Sequence, residues 1–322
     1  MSAPAAAPRA QAFLGGRFVD AADARVSVMT HAFLYGTGVF EGIRAYWSDE
    51  DEELYLLLVR EHYERLVRSA RVLRIALPYD VGGLVDLTGE LLRRCGLRSD
   101  AYVRPLAYKS TEGIGAQLNG MDDGFAVYAV PFGNYVEIDR GLTCGVSSWR
   151  RLGDNAIPPR AKVIGAYANA ALAKTEAQER GYDEAIMLTE DGHVSEGSAE
   201  NIFVVRDGRL LTPPPTDSIL EGITRAAVMR IAADEGIPCL ERRIDRTELY
   251  VAEEIFLTGT GAQIAAVTSV DGRPVADGAV GPVTARISGV YFAAVRGKLP
   301  RYRSWLTPIY ALARGREAPA IR

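Results

Sequence analysis

The chain has 322 residues, 48% of them hydrophobic and 24% charged, with a formal net charge of −4: the composition of a globular protein of about two domains, with no reason to expect a nucleic-acid or membrane partner. Cys95, Cys144 and Cys239 stand far apart with no CxxC pair, and His31, His62 and His193 are the only histidines, so neither a disulfide framework nor a zinc centre is indicated. No apolar run approaches the roughly 20 residues of a membrane helix, and the Ala/Pro segment 2–8 lacks a signal peptide's apolar core, so it reads as a disordered tail on a cytoplasmic protein.

In chain order, residues 13–19 predict a hairpin turning at Gly15-Gly16, and residues 23–29 alternate as a strand does. Residues 31–46 set three glycines among aromatics, the pattern of a backbone lying against something flat or simply of turns. Residues 48–53 form an acidic, solvated hairpin tip, and 54–59 a strand. Residues 60–74 carry Tyr63, Leu66, Val67, Ala70 and Leu73 at helical spacing, with most of the arginines facing water. Arg60, at the strand-to-helix junction, either points into a cleft or serves as a cap or surface charge. Residues 85–94 are a helix that Gly96 stops.

Residues 101–108 are a strand on which Tyr102 and Arg104, two apart, share a face. A hydroxyl beside a guanidinium suits a carboxylate; a cross-strand ion pair is the plain alternative. A Gly-containing loop (110–119) and a strand (124–131) follow, and residues 132–141 lack any periodicity, which marks the domain junction. The expected division is a small N-terminal domain over 1–135, a link over 136–143 and a larger domain over 144–322.

The second half opens with a strand, 142–149, leading to Lys162. Pro158 and Pro159 forbid helix just before this lysine, and residues 166–180 are strongly helical, ending at Gly181. Among Ala161, Val163, Ile164, Gly165 and Ala166 the lysine is expected to be partly desolvated, which favours its neutral, nucleophilic amine; a surface lysine capping a strand is the alternative. Hairpins are predicted around Glu190-Asp191-Gly192 and Asp207-Gly208, a tight turn and strand over 195–205, and a helix over 225–235. The start of that helix after Gly222 offers backbone N–H groups to an anion. A strand over 253–257 runs into Thr258-Gly259-Thr260-Gly261, a second place for an anion, and residues 282–296 are the closing helix.

Together Tyr35-Gly-Thr-Gly-Val-Phe-Glu-Gly-Ile-Arg44, Tyr102-Val-Arg-Pro105, Lys162 with Tyr167, Ser195-Glu-Gly-Ser-Ala-Glu-Asn201, Gly222-Ile-Thr-Arg225 and Thr258-Gly-Thr-Gly261 resemble the branched-chain amino acid aminotransferases, class IV enzymes of pyridoxal 5′-phosphate. The resemblance runs from about residue 13 to 296. It implies an α+β, two-domain fold-type IV enzyme, similar to D-amino acid aminotransferase, with a small α/β domain followed by a larger β-barrel-like domain with helices.

By that resemblance Lys162 is the Schiff-base lysine, which also moves the proton between substrate and cofactor. Glu196 holds the ring nitrogen's proton, and Tyr167 partners the phenolic oxygen. Arg60, the backbone of Ile223 and Thr224, and Thr260 hold the phosphate. Tyr35, Phe40, Tyr102, Phe132 and Tyr135 line the substrate pocket. Tyr102 and the Thr260–Gly261 backbone hold the α-carboxylate, and Arg104 the distal carboxylate of glutamate. Leucine, isoleucine and valine would exchange amino groups with 2-oxoglutarate in a homodimer or larger homo-oligomer whose 110–117 loop reaches the neighbouring site. Two departures stand out: Gly261 where the family often has alanine, and Glu112 in a loop that is usually apolar. The alternatives are a D-amino acid or (R)-amine transaminase on the same fold and a cofactor-binding protein without turnover.

Overall fold

A computed structural model describes residues 10–133 and 140–311. The tail 2–8, Tyr135 and the first half of the expected link, 136–139, lie outside the described residues. The rest falls into two compact units, 10–133 with 294–311 and 140–293.

The first unit holds β1 (Gln11–Leu14), β2 (Arg17–Asp20), the short α1 (His31–Tyr35), β3 (Gly38–Phe40), β4 (Ile43–Ser48), β5 (Glu53–Leu57), α2 (Val59–Val72), α3 (Val81–Cys95), β6 (Ala101–Lys109) and β7 (Asp123–Pro131). In the second lie β8 (Leu142–Arg150), α4 (Tyr167–Glu179), β9 (Glu184–Leu188), β10 (Val194–Gly197), β11 (Asn201–Arg206), β12 (Arg209–Thr212), α5 (Ile223–Asp234), β13 (Cys239–Glu241), β14 (Glu254–Gly259), β15 (Gln263–Val270), β16 (Arg273–Pro274) and most of α6 (Pro282–Val295). After α6 the chain adds β17 (Leu306–Pro308) to the first unit.

The first sheet runs β17-β5-β4-β6-β7-β1-β2, with β3 also on β6, and all its pairings are antiparallel. The second runs β10-β9-β8-β15-β14-β11-β12-β13, with β16 on β15; β8 is parallel to both neighbours and β12 to β13. Its core packs Val146, Ile186, Leu188, Ile202, Val204, Leu257 and Val267, all nearly fully buried. Burying each such side chain is worth about 1.5–3 kcal/mol.

Local signals place most elements. At Asp207-Gly208 both residues have positive φ, 51° and 66°, the twist that a two-residue hairpin between β11 and β12 requires. α3 begins four residues earlier than its apolar spacing suggests, because the Asp80 side chain accepts from the Gly83 N–H at 2.8 Å and caps a first turn that contains two glycines.

Three expectations need correction. Residues 23–29 are not a strand: they run from a short 3-10 turn into irregular backbone, and Val26, Val28 and Met29 are 54%, 73% and 54% exposed. Their alternation faces outward, not onto a sheet. The acidic tip 48–53 is only partly solvated, since Ser48 and Glu53 are buried and Glu53 accepts from the Ile309, Tyr310 and Ala311 N–H groups at 3.0, 2.7 and 2.6 Å. Those bonds and the pairing of β17 with β5 assign residues 294–311 to the first unit, whereas a continuous second domain over 144–322 was expected. Most arginines of α2 face water as expected; Arg65 is the exception, 4% exposed and joined to Glu41.

Candidate functional site

In the second unit Lys162 lies in irregular chain after the Pro158-Pro159 break, half-buried between buried Ala161 and Val163. A 3-10 turn, Ile164–Ala166, leads directly into α4. Tyr167 is the first residue of that helix, so the winding brings it back over the lysine: Lys162 Nζ donates to the Tyr167 hydroxyl at 2.6 Å. Both line a cleft with Arg151, Leu152, Ile157, Pro159, Ala161, Ala166 and Leu220. An amine, a phenol and an apolar wall in one cleft suit a flat ligand that carries both an aldehyde and an acidic hydroxyl.

Glu196, on β10, is 4% exposed. Arg151 Nε lies 2.7 Å from its Oε1, while Asn201 Nδ2 and the Leu220 N–H donate to its Oε2 at 2.9 and 3.0 Å. Burial pushes the carboxyl above its usual range, opposed by Arg151, the Leu220 N–H and the charge of Lys162. A carboxylate so placed can hold a proton on a basic ring nitrogen. Arg151 and Asn201 carry no role in the sequence reading. Asn201 closes a motif singled out there; Arg151 sits in an undistinguished Trp149-Arg-Arg-Leu152 run and leaves no periodic signal.

Gly222 is the N-cap of α5 and provides no side-chain cap, so the helix start at Ile223 and Thr224 presents backbone N–H groups. Thr260 and Gly261 lie in the tight turn joining β14 to β15, beside the Gly259–Gln263 pair. Among the described residues Thr258, 1% exposed, has a buried hydroxyl with no partner. Hydroxyls and amide donors of this kind fit a phosphate.

The first unit carries a separate constellation. Along β6 the odd-numbered residues are buried and the even ones half-buried, so Tyr102 and Arg104 do share a face. Arg104 donates to the Tyr102 hydroxyl at 2.8 Å and stacks on Phe40, 4.4 Å from the ring centroid, while its Nε is buried without a hydrogen-bond partner. The Tyr102 ring meets Phe132 at 5.1 Å, and the Phe132 and Gly133 carbonyls accept from Arg44 at 3.2 and 2.9 Å. A Cβ on Gly42 would collide with the Tyr102 hydroxyl, which accounts for glycine there. Tyr35 ends α1, is 41% exposed, and its hydroxyl accepts from the Gly115 N–H at 3.2 Å. Arg60 is exposed on the first turn of α2.

The comparisons agree with this chemistry. The amino-transferase class IV family matches residues 38–270. The chain is 49% identical over 300 residues to a probable branched-chain-amino-acid aminotransferase of Aquifex aeolicus (strain VF5), covering 93% of this chain and 96% of that one. It is 39% identical to the branched-chain-amino-acid aminotransferase of Escherichia coli (strain K12), at 92% and 96% coverage. The crystal structure of the branched-chain aminotransferase from Thermoproteus uzoniensis with norvaline superimposes with a TM-score of 0.90 at 46% identity, covering 94% of this chain and 100% of that one. That of the branched-chain amino acid aminotransferase from Thermobaculum terrenum in its PLP-form gives 0.90 at 35%, covering 94% and 99%.

Proposed function

Because the chain belongs to the class IV aminotransferases, we propose that it transfers amino groups between the branched-chain L-amino acids leucine, isoleucine and valine and 2-oxoglutarate, using pyridoxal 5′-phosphate. The observation that carries this reading is the cleft in which an amine, a phenol and, through Arg151 and Leu220, a buried carboxylate come together. When bound, the cofactor supplies an aldehyde to receive the amino group and a ring that withdraws electrons from the substrate's α-carbon.

The residues divide the remaining work. Lys162 anchors the cofactor aldehyde and, once displaced by substrate, carries the proton to and from the α-carbon. Tyr167 orients the lysine and the phenolic oxygen. Glu196 keeps a proton on the ring nitrogen, helped by a setting that excludes water. The α5 start at Ile223 and Thr224, with Thr260 and Arg60, holds the phosphate. Tyr102 and the Thr260–Gly261 backbone bind the α-carboxylate, and Arg104 takes the distal carboxylate of glutamate. Tyr35, Phe40 and Phe132 line the pocket and accept an aliphatic side chain.

The working enzyme is a homodimer or larger homo-oligomer. Val28, Phe33 and Ile114 are 73%, 70% and 95% exposed, with Met29, Leu34 and Tyr35 beside them in sequence, more apolar surface than an isolated chain keeps in water. A second copy of this chain covers it, and the 110–117 loop, with Glu112 and Ala116, reaches that copy's site. The three cysteines are free thiols, which suits the reducing cytoplasm, and among the described residues no helix is long and apolar enough to cross a membrane.

Purified protein loaded with the cofactor, given L-leucine and 2-oxoglutarate, tests the reading. The expected result is glutamate formation that Lys162→Ala abolishes, together with loss of the borohydride-sensitive visible absorbance. Turnover by Lys162→Ala at the wild-type rate would overturn it, as would activity confined to D-amino acids or (R)-amines.

A further inference from the structure

One side chain ties the carboxylate of the cleft to the helix start beside it. Asn201 opens β11, is 5% exposed and has both amide protons committed: Nδ2 donates to Glu196 Oε2 at 2.9 Å and to the Leu220 carbonyl at 2.8 Å. The Leu220 N–H returns to the same Glu196 oxygen at 3.0 Å, closing a ring of three partners. Oε2 is thereby held by two donors, and Oε1 is the oxygen that meets Arg151 Nε at 2.7 Å.

With both protons fixed, the direction of the Asn201 carbonyl is fixed as well. It points at Gly222: a Cβ on that residue would collide with Asn201 Oδ1. The Gly222 backbone, at φ −69° and ψ 135°, is one that any residue adopts, so the conformation does not call for glycine here; the neighbouring amide does.

We propose that Asn201 is a positioning residue which sets, through one amide group, both the orientation of the Glu196 carboxylate and the approach of the chain into α5, and that Gly222 is required because Asn201 occupies the space of its side chain. This rests on the reading of the cleft as a pyridoxal 5′-phosphate site. On that reading, the contact to the ring nitrogen and the contact to the phosphate are aligned by the same residue. Removing the amide leaves the Leu220 carbonyl and one Glu196 oxygen short of a buried donor, which loosens both ends together.

A double-mutant cycle tests it. The dissociation constant of pyridoxal 5′-phosphate is measured for wild type, Gly222→Ala, Asn201→Ala and the double variant, with Asn201→Ser in place of Asn201→Ala if the latter does not fold. Gly222→Ala alone weakens binding about ten- to a hundredfold, the size of a lost hydrogen bond to a charged group. In the Asn201→Ala background the same change costs less than about twofold, because the obstructing oxygen is gone. Asn201→Asp, which sets an acceptor against Glu196 Oε2, weakens binding further than Asn201→Ala does. Asn201→Ala also moves the pH midpoint of the bound cofactor's visible band, and adding Gly222→Ala moves it no further.

Equal penalties from Gly222→Ala in both backgrounds, or wild-type affinity in Gly222→Ala, overturn the proposal. Wild-type protein that fails to bind the cofactor at all overturns the function reading instead. In that case the cycle is read in the melting temperature of the cofactor-free protein, where an unrelieved Gly222→Ala penalty still refutes the steric pairing.

Discussion

Glu41 in the first unit and Glu200 in the second are buried to nearly the same degree, 0% and 6% exposed, and their carboxyls are driven in opposite directions. For Glu41, burial would raise the pKa, yet Arg65, with Nε and a terminal nitrogen at 2.7 and 2.9 Å, and His62 Nδ1 at 2.7 Å pull it well below the usual carboxylate range. For Glu200, burial and the nearby charge of Glu184 outweigh the Ala199 N–H and the charge of Lys174, and push it up to about 8. Glu196 is also raised by burial, but opposed by Arg151, the Leu220 N–H and the charge of Lys162. Removal from water does not by itself decide whether a carboxyl is charged; the donors and cations arranged around it do. In the first unit that arrangement holds Phe40 and Gly42, on either side of Glu41, in place beside Arg104 and Tyr102. In the second it sets the charge of a residue assigned to the chemistry itself.

The largest way to break this contrast is Glu196→Gln. Without the anion, the ring nitrogen loses its proton's partner, and kcat for leucine and for glutamate should fall together by about a thousandfold, about 4 kcal/mol of barrier. Single-turnover absorbance measurements check it, and an unchanged rate assigns the role elsewhere. Next is Glu41→Gln, which leaves Arg65 buried without its counter-charge and should cost about 3 kcal/mol of stability in urea unfolding. A loss below about 0.5 kcal/mol, the range of ordinary surface changes, would show that Arg65 finds another partner.

Arg104→Ala sharpens the contrast between an element used by every substrate and one that sorts them. The glutamate half-reaction should lose about ten- to a hundredfold in kcat/KM, and the leucine half-reaction should stay near wild type; stopped-flow traces separate the two. Equal losses would place Arg104 on the shared α-carboxylate or in a structural role.

The smallest effect concerns Glu200. The unfolded chain releases this proton near 4.5, while the folded chain keeps it to about 8. Between those values the folded state binds more protons, so this group's contribution to stability falls as pH rises through the window. Glu200→Gln should flatten that slope, and its melting temperature should drop by a few degrees less than wild type between pH 5 and pH 8.5. Parallel slopes for the two proteins would show that Glu200 is ionised throughout.

Much of the chain was legible because the signals are local. Helical spacing placed α2, helix-favouring composition between a proline break and a glycine placed α4, and a glycine stop marked α5; an Asp-Gly pair placed the hairpin of β11 and β12, and a two-residue offset put Tyr102 and Arg104 on one face of β6. The resemblance named Tyr167 beside Lys162, and the structure joins them because a 3-10 turn and the start of α4 follow the lysine. The motifs told the family, since each needs only a few neighbouring residues.

What lay beyond the sequence depends on partners distant along it. Glu53 reads as the end of a solvated acidic run until residues 309–311 return to cover it. Nothing local marks Arg65 as the arginine of α2 that turns inward until Glu41, 24 residues away, meets it. Asn201 has no visible task until Leu220 and Gly222, about twenty residues later, fold against it. A buried charge or amide takes its meaning from whatever donors and acceptors the fold brings within about 3 Å, and periodicity along a chain carries no record of those.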